Sequence, residues 1–323
     1  MNQIVTKLDL KDRKILFELE QDARQSLQQI AKKVGLSKEA VFHRIKNLEK
    51  EGIIKKYLTE IDIYKLGYQW YPLLLKFKDI TPKLQEEMFN YLKQSKCLTW
   101  MTACEGNWDA NLTLFAKNNY DINLFLEGFT EKYGQYLAEK QLHIIAEQNY
   151  FKRGFWLNKP ITQIISTSKG KETQLDFKDL EILQILSDHA RMPLVEIARR
   201  LKLSAKVVAY KIKKLEKEKV IQGSHLLVDF SKLGYKFYKV WFSLKNVTPE
   251  KRKKLFTYFQ IVPNIIWATR LIGKYDLSIE MEVEDVAQFR KIIDDIKQEF
   301  HELINEHESI LIFEEKVLNY MPK

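Results

Sequence analysis

The chain has 323 residues, 53 of them Lys or Arg against 43 Asp or Glu, for a net charge of +10. At roughly 100–200 residues per domain this length calls for two or more domains, and 45% hydrophobic with 12% aromatic residues excludes a disordered or fibrous chain. Apolar runs such as Leu73 to Leu75 or Ile310 to Phe313 are far too short to cross a bilayer, no charged-then-apolar leader opens the sequence, and Cys97 and Cys104 have neither disulfide-framework nor metal spacing, so a soluble cytoplasmic protein is expected.

The chain is one unit written twice. A shift of 167 residues aligns it with itself without gaps, and 27 of the 61 positions from Leu8 to Tyr68 are identical to their partners. The register persists to Thr81-Pro82 with Thr248-Pro249, Trp100 with Trp267, and Gly106 and Asp109 with Gly273 and Asp276. Internal repetition of this kind decides the architecture before any local reading does.

In chain order, Asp9 is an N-cap for a helix carrying Ile15, Leu16 and Leu19 at helical spacing. Ser26 and Gln29 read as a capping box for a second, short helix with Leu27, Ile30 and Ala31 inward. Gly35 supplies a turn that tolerates positive φ. Ser37 caps a third helix with the stripe Val41, Ile45 and Leu48, and Gly52 closes it. The second copy repeats this with Ile182-Leu183-Leu186, Leu194-Ile197-Ala198, Ser204 and Val208-Ile212-Leu215. The pattern is that of a helix-turn-helix, and the segments 57–63 and 224–230 are expected to supply wing strands. Lys202 and Lys219 replace the turn glycines Gly35 and Gly52, so the second motif is expected to turn or end differently.

Opposite the stripe of the third helix stand Glu39, His43, Lys46, Asn47 and Lys50; in the second copy Lys206, Tyr210, Lys213, Lys214 and Lys217 stand there. A lone basic helix is more often a solvated face. Here the basicity is localised twice: residues 32–56 carry +5 and residues 199–219 carry +7, leaving −2 for the rest. That is the footprint of a phosphate-binding surface. Double-stranded DNA suits it, because one helix fits a major groove and paired helices about 34 Å apart read successive turns. The candidate DNA-contacting set is these residues with Ser37, Lys38, Arg44, Ser204 and Lys211. The cations would meet phosphates, and His43, Asn47 and Tyr210 would reach base edges. Because the two faces differ, the preferred site is expected to be asymmetric.

Behind Gly67-Tyr68 and Gly234-Tyr235 both copies read strand, helix, strand, strand, helix, strand, the order of a ferredoxin-like sandwich. Leu277, Ile279, Met281 and Val283 alternate with Ser278, Glu280, Glu282 and Glu284, as in a sheet with one buried face. The remaining face must find a partner, for which the other copy is the obvious candidate. The expected division is α+β: winged helix-turn-helix 1–60, ferredoxin-like module 61–153, linker 154–174, winged helix-turn-helix 175–227 and ferredoxin-like module 228–323.

Asp-x-x-x-x-x-Ile-Leu, then Ala-Arg, Leu-Ser and Leu-Glu-Lys-Glu-Gly-Ile-Ile at 48–54, resembles the Lrp/AsnC family of feast/famine transcription regulators across almost the whole chain, twice. The turns Gly106-Asn-Trp-Asp109 and Gly273-Lys-Tyr-Asp276 are similar to that family's Gly-x-Tyr-Asp turn. The resemblance implies a DNA-binding winged motif and a module for dimerisation and for response to a small effector, typically an amino acid. It makes Gly106, Asp109, Gly273 and Asp276 candidate effector residues, although Gly and Asp would equally close a hairpin there. Family members usually carry one copy and dimerise; two copies here imply an intrachain pseudo-dimer, with further homo-oligomerisation open.

No phosphate loop, dinucleotide fingerprint or nucleophile elbow occurs, and the six histidines show no metal spacing. No catalytic residue, metal or cofactor is assigned. Siroheme decarboxylases share this architecture, so such an enzyme stands as one alternative, and a protein-interaction module that has lost DNA binding as another. The His-Asn-Tyr element of those enzymes' second strand is unmatched at Leu98-Thr99-Trp100-Met101 and Ile266-Trp267-Ala268-Thr269. Trp100 and Trp267 are read as core or interface rather than as a ligand clamp.

Overall fold

The computed structural model describes residues 6–159, 164–168 and 171–321. The first copy begins with α1 (Leu10–Gln21), α2 (Leu27–Val34) and α3 (Lys38–Lys50), followed by β1 (Ile54–Ile61). Their ends obey local chemistry. Asp9 accepts from the Asp12 amide, Ser26 and Gln29 form the reciprocal capping box, and Ser37 accepts from the Ala40 amide, which satisfies amides that have no carbonyl partner inside the helix. The chain continues through β2 (Gln69–Phe77), α4 (Pro82–Lys93), β3 (Leu98–Gly106), β4 (Ala110–Ala116), α5 (Asn119–Tyr133), β5 (Leu137–Leu142), β6 (Ile144–Phe151) and β7 (Ile164–Ser168).

The second copy repeats the order with α6 (Phe177–Asp188), α7 (Leu194–Leu201), α8 (Ala205–Lys217), β8 (Ile221–Val228), β9 (Lys236–Leu244), α9 (Pro249–Ile261), β10 (Ile265–Ile272), β11 (Leu277–Val283), α10 (Val286–Glu299) and β12 (Ile304–Leu318). The expected change of path at Lys202 and Lys219 does not occur. Lys202 has φ +54° and Lys219 φ +60°, against +66° for Gly35 and +69° for Gly52. The closing backbone bonds are the same in both copies, Leu203 to the Ala198 carbonyl as Leu36 to Ala31 and Val220 to Leu215 as Ile53 to Leu48, and the lysines accept a backbone cost of about 1–3 kcal/mol each.

The wings are exchanged between copies. Strands β1 and β8 pair antiparallel, with Tyr57 opposite Leu226 and Thr59 opposite Ser224. Leu226, Val228 and Phe230 complete the core built on Ile15, Leu16, Leu19, Val41 and Ile45. Reciprocally, Ile61 enters the core of Ile182, Leu183, Leu186 and Val208. A boundary at 60 therefore cuts through a shared core. The segment 154–174 is also more than a linker: a 3-10 turn at Phe155–Leu157 seats the buried Trp156 in the first winged motif, and β7 pairs with β6.

Each mixed module has the strand order of a ferredoxin-like sandwich, β5-β2-β4-β3 and β12-β9-β11-β10, and the two join in one ten-stranded sheet through β3-β12 and β10-β6, with β7 outermost. Strand β12 spans, under the 167-residue shift, the same ground as β5 and β6 together, which are separated at His143. The first half of each segment pairs with its own copy and the second half crosses to the other. Since β5 runs directly into β6, the strand order closes on itself.

Helices α4 and α5 cover one core and α9 and α10 another, and a third core lies between the copies around Trp70, Trp100, Trp108, Trp241 and Tyr275. Every residue of β11 is consequently buried, Ser278, Glu280 and Glu282 included. Alternation correctly separates the two faces of this strand. The polar face turns inward, against the other copy, and not to water.

Candidate nucleic-acid interface

On α3 the side chains of Lys38, Glu39, His43, Lys46, Asn47 and Lys50 are exposed, while Val41, Ile45 and Leu48 are buried. On α8, Lys206, Tyr210, Lys213 and Lys217 are exposed and Lys214 is half-buried. Ser37 and Ser204 are caps, accepting from the amides of Ala40 and Val207 at 3.1 and 3.2 Å. They set the direction of each helix N-terminus, the end that favours an anion.

Two residues of the expected set belong elsewhere. Arg44 is held by Asp12 and Asp9 at 2.7 and 2.8 Å, and these carboxylates raise its pKa. Lys211 is bound to Asp176 and Asp179 at 2.5 and 2.9 Å. Although burial opposes its charge, hydrogen bonds to the two carboxylates raise its pKa. Both residues brace the third helix against the N-terminus of the first, and neither is free to neutralise a phosphate.

The remaining cations differ between the copies. Lys46 is paired with Glu49 at 2.7 Å, and Glu49 also accepts from the Tyr57 hydroxyl. Among the described residues no ion pair holds Lys206, Lys213 or Lys217. Sequence reasoning missed Phe42, which is 43% exposed. It lies beside the His43 ring at 5.6 Å and under the Lys46 ammonium at 6.0 Å. The signal was present: a large apolar residue out of register with the Val41-Ile45-Leu48 stripe, matched by only Ala209 in the second copy.

The two motifs are joined by more than β1 and β8. The Arg24 guanidinium donates to the Ala190 carbonyl at 2.6 Å, and Arg191 donates to the carbonyls of Ala23 and Gln25. Lys56 of β1 pairs with Asp188 at the end of α6 at 2.9 Å. Charge-assisted bonds of this kind, crossing reciprocally between loops, hold orientation as well as position.

The turns after β3 and β10 are structural in their contacts. The Asp109 carboxylate accepts from the Phe77 amide at 2.7 Å, and Asp276 accepts from the Leu244 amide at 2.7 Å. Each closes the end of its module's first strand. Gly106 (φ +132°) and Gly273 (φ +149°) lie over the crossing segments, where a Cβ would approach Ser309 O to 3.0 Å and His143 Cδ2 to 2.6 Å. Trp100 and Trp267, read as core or interface, line a cavity between the copies. Among the described residues no group of three or more His, Cys, Asp or Glu is arranged to hold a metal, and no helix is long and apolar enough to cross a membrane.

Comparison with known proteins agrees with this geometry. A winged helix-turn-helix DNA-binding family model matches residues 8–55 and again 175–222. The transcriptional regulator AzlB of Bacillus subtilis is 35% identical over 122 residues, which is 37% of this chain and 76% of that protein. The HTH-type transcriptional regulator LrpA of Pyrococcus horikoshii is 32% identical over 115 residues, covering 36% of this chain and 80% of that protein. Among solved structures, the siroheme decarboxylase NirDL superimposes with a TM-score of 0.63 over 97% of this chain and 94% of its own, at 14% identity. At that identity the likeness shows a shared fold.

Proposed function

Since the chain belongs to the Lrp/AsnC family of DNA-binding transcription regulators and carries two copies of its unit, we propose that it works as an intrachain pseudo-dimer in which α3 and α8 enter successive major-groove turns of one asymmetric DNA site. The observation that carries this reading is the exchange of wings. With β1 and β8 paired and each completing the other motif's core, the separation of the two helices is fixed by the fold. Paired half-sites about one helical turn apart require such fixed separation.

In this reading Lys38, Lys46 and Lys50 on α3, and Lys206, Lys213 and Lys217 on α8, neutralise phosphates. His43, Asn47 and Phe42 face bases on one side and Tyr210 on the other; Phe42 is suited to a thymine methyl. An amino-acid response at Gly106, Asp109, Gly273 and Asp276 has weaker support, because both carboxylates already hold backbone amides. The regulator reading is preferred to a decarboxylase because the relatives above 30% identity are named transcription regulators.

The test is fluorescence anisotropy with a random duplex pool across a salt series, followed by selection. A steep fall of affinity with salt and enrichment of a non-palindromic site support the proposal. Perfect inverted repeats overturn its asymmetry. Absence of binding at low salt, or tight uptake of a coloured tetrapyrrole, overturns the regulator reading itself.

A further inference from the structure

Between the two copies lies a cavity of about 370 Å³, walled by β2, β3, β4 and β6 of the first copy, by β8 to β12 of the second, and by Lys55 of β1. That is the lower end of the range for small-ligand pockets, about 300–1,000 Å³. Its charge runs against that of the protein. Five carboxylates, Asp229, Glu280, Glu282, Glu314 and Glu315, line it against three cations, Lys55, Arg153 and Lys239, in a chain of net charge +10.

Four of the carboxylates are compensated. Arg153 makes a two-pronged contact with Glu282 at 2.9 and 3.0 Å and also binds Glu20 of α1. Lys239 pairs with Glu280 at 2.8 Å and lies 4.8 Å from the centre of the Trp100 ring. Lys55 pairs with Asp229 and Lys316 with Glu314. The fifth is different. Glu315 accepts from Trp100 Nε1 at 2.9 Å, and no ion pair with a described cation holds it. Glu315 is exposed on β12 and lines the cavity, so its carboxylate is open to a ligand.

The surroundings of Glu315 are aromatic. Trp100 and Phe237 lie at a 50° tilt with ring centres 6.4 Å apart, and Phe313, 60% exposed, lines the same space. Ring faces attract cations and stack on flat ligands. The charges have also diverged between the copies. Positions 239, 280, 282 and 315 are Lys, Glu, Glu and Glu, whereas their repeats are Pro72, Thr113, Phe115 and Gln148. Apart from Lys55 and Arg153, the charges of the lining come from the second copy, so the two sides of the cavity are unlike and a ligand with a charged end has a preferred orientation.

We propose that this cavity binds a small aromatic amine, with its ammonium group on the Glu315 carboxylate and its ring against Trp100 and Phe237. The excess of carboxylates selects against a free carboxylate on the ligand, and so against amino-acid zwitterions and polycarboxylated macrocycles. The site does not depend on whether the winged motifs bind DNA.

The test is isothermal titration of the full chain, without DNA, using 2-phenylethylamine, phenylacetate and L-phenylalanine. The expected result is saturable one-to-one binding of 2-phenylethylamine at millimolar concentration or below, with the other two weaker by about tenfold or more, the scale of one hydrogen bond to a charged group. Glu315→Gln, which retains an acceptor for Trp100, should lose about tenfold in affinity for the amine, with an unchanged melting profile as the check on folding. Phe237→Leu provides a second reading if Glu315→Gln fails to fold, and should also weaken the amine. The proposal is overturned by no saturable amine binding, by phenylacetate or phenylalanine binding as tightly, or by full affinity in a folded Glu315→Gln or Phe237→Leu protein.

Discussion

Helices α3 and α8 have the same cap, the same buried stripe and the same inward brace from a basic residue to two carboxylates. What they show to solvent is different. The face of α3 mixes an aromatic ring, a histidine and an asparagine with a lysine partly neutralised by Glu49, whereas α8 shows a tyrosine and unpaired lysines. The buried stripe was kept after duplication, and so were the lysines at 46/213 and 50/217, whereas the exposed positions 39, 42, 43 and 47 all changed. Under the proposed function, the first helix would discriminate among bases and the second would hold the backbone.

The largest effect should come from breaking the shared core. Leu226→Ala removes a side chain that lies in the second copy yet packs in the first winged motif, and should destabilise by about 2–5 kcal/mol. Amide exchange in α1 would report it; protection of Ile15 to Leu19 that survives the substitution would show that the first motif closes without its partner's wing. A second contrast is His143, whose repeat is Ile310. Burial first, and then the nearby ammonium groups of Lys239 and Lys274, lower its pKa to about 4 from 6.5. The folded state therefore binds fewer protons than the unfolded state between pH 6.5 and 4, so stability should fall as pH drops through that window, by up to about 3 kcal/mol. His143→Ile should flatten this limb in urea titrations at pH 4.5 and 7.

DNA binding sharpens the comparison directly. Replacing Lys206, Lys213 and Lys217 together by Ala should reduce the slope of log affinity against log salt by roughly two to three. The same change at Lys38, Lys46 and Lys50 should reduce it by roughly one to two, because Lys46 is already partnered; equal slopes would remove the distinction between the helices. The smallest effect concerns the turns. Lys202→Gly and Lys219→Gly should each raise stability by about 1 kcal/mol, and Gly35→Lys should lower it similarly, as read from denaturant midpoints.

Much of this molecule was legible in the sequence because local rules and the repeat agree. The caps at Asp9, Ser26 and Ser37, with Asp176 and Ser204 in the second copy, and the stripes of α3 and α8, are short-range features that one strand of text contains. The pairing of β1 with β8, and the crossing of β6 and β12, depend on which copy a strand meets, and two copies of one strand pattern offer no local signal for that choice. The roles of Arg44 and Lys211 were hidden for a related reason. A basic residue on a helix reads the same whether its carboxylate is 35 residues away, as Asp9 is from Arg44, or absent. The inward polar face of β11 was visible as alternation, but its burial became apparent only once the opposing module was in place.

The exchange of wings has a consequence for synthesis. The apolar side of α1, with Ile15, Leu16 and Leu19, is covered by Leu226, Val228 and Phe230, which leave the ribosome some two hundred residues later. At about 5–20 residues per second that interval is roughly 10–40 s. For that time the first motif is a helix bundle with an open side, and its fate in the cell rests on what occupies that side before its own second half arrives.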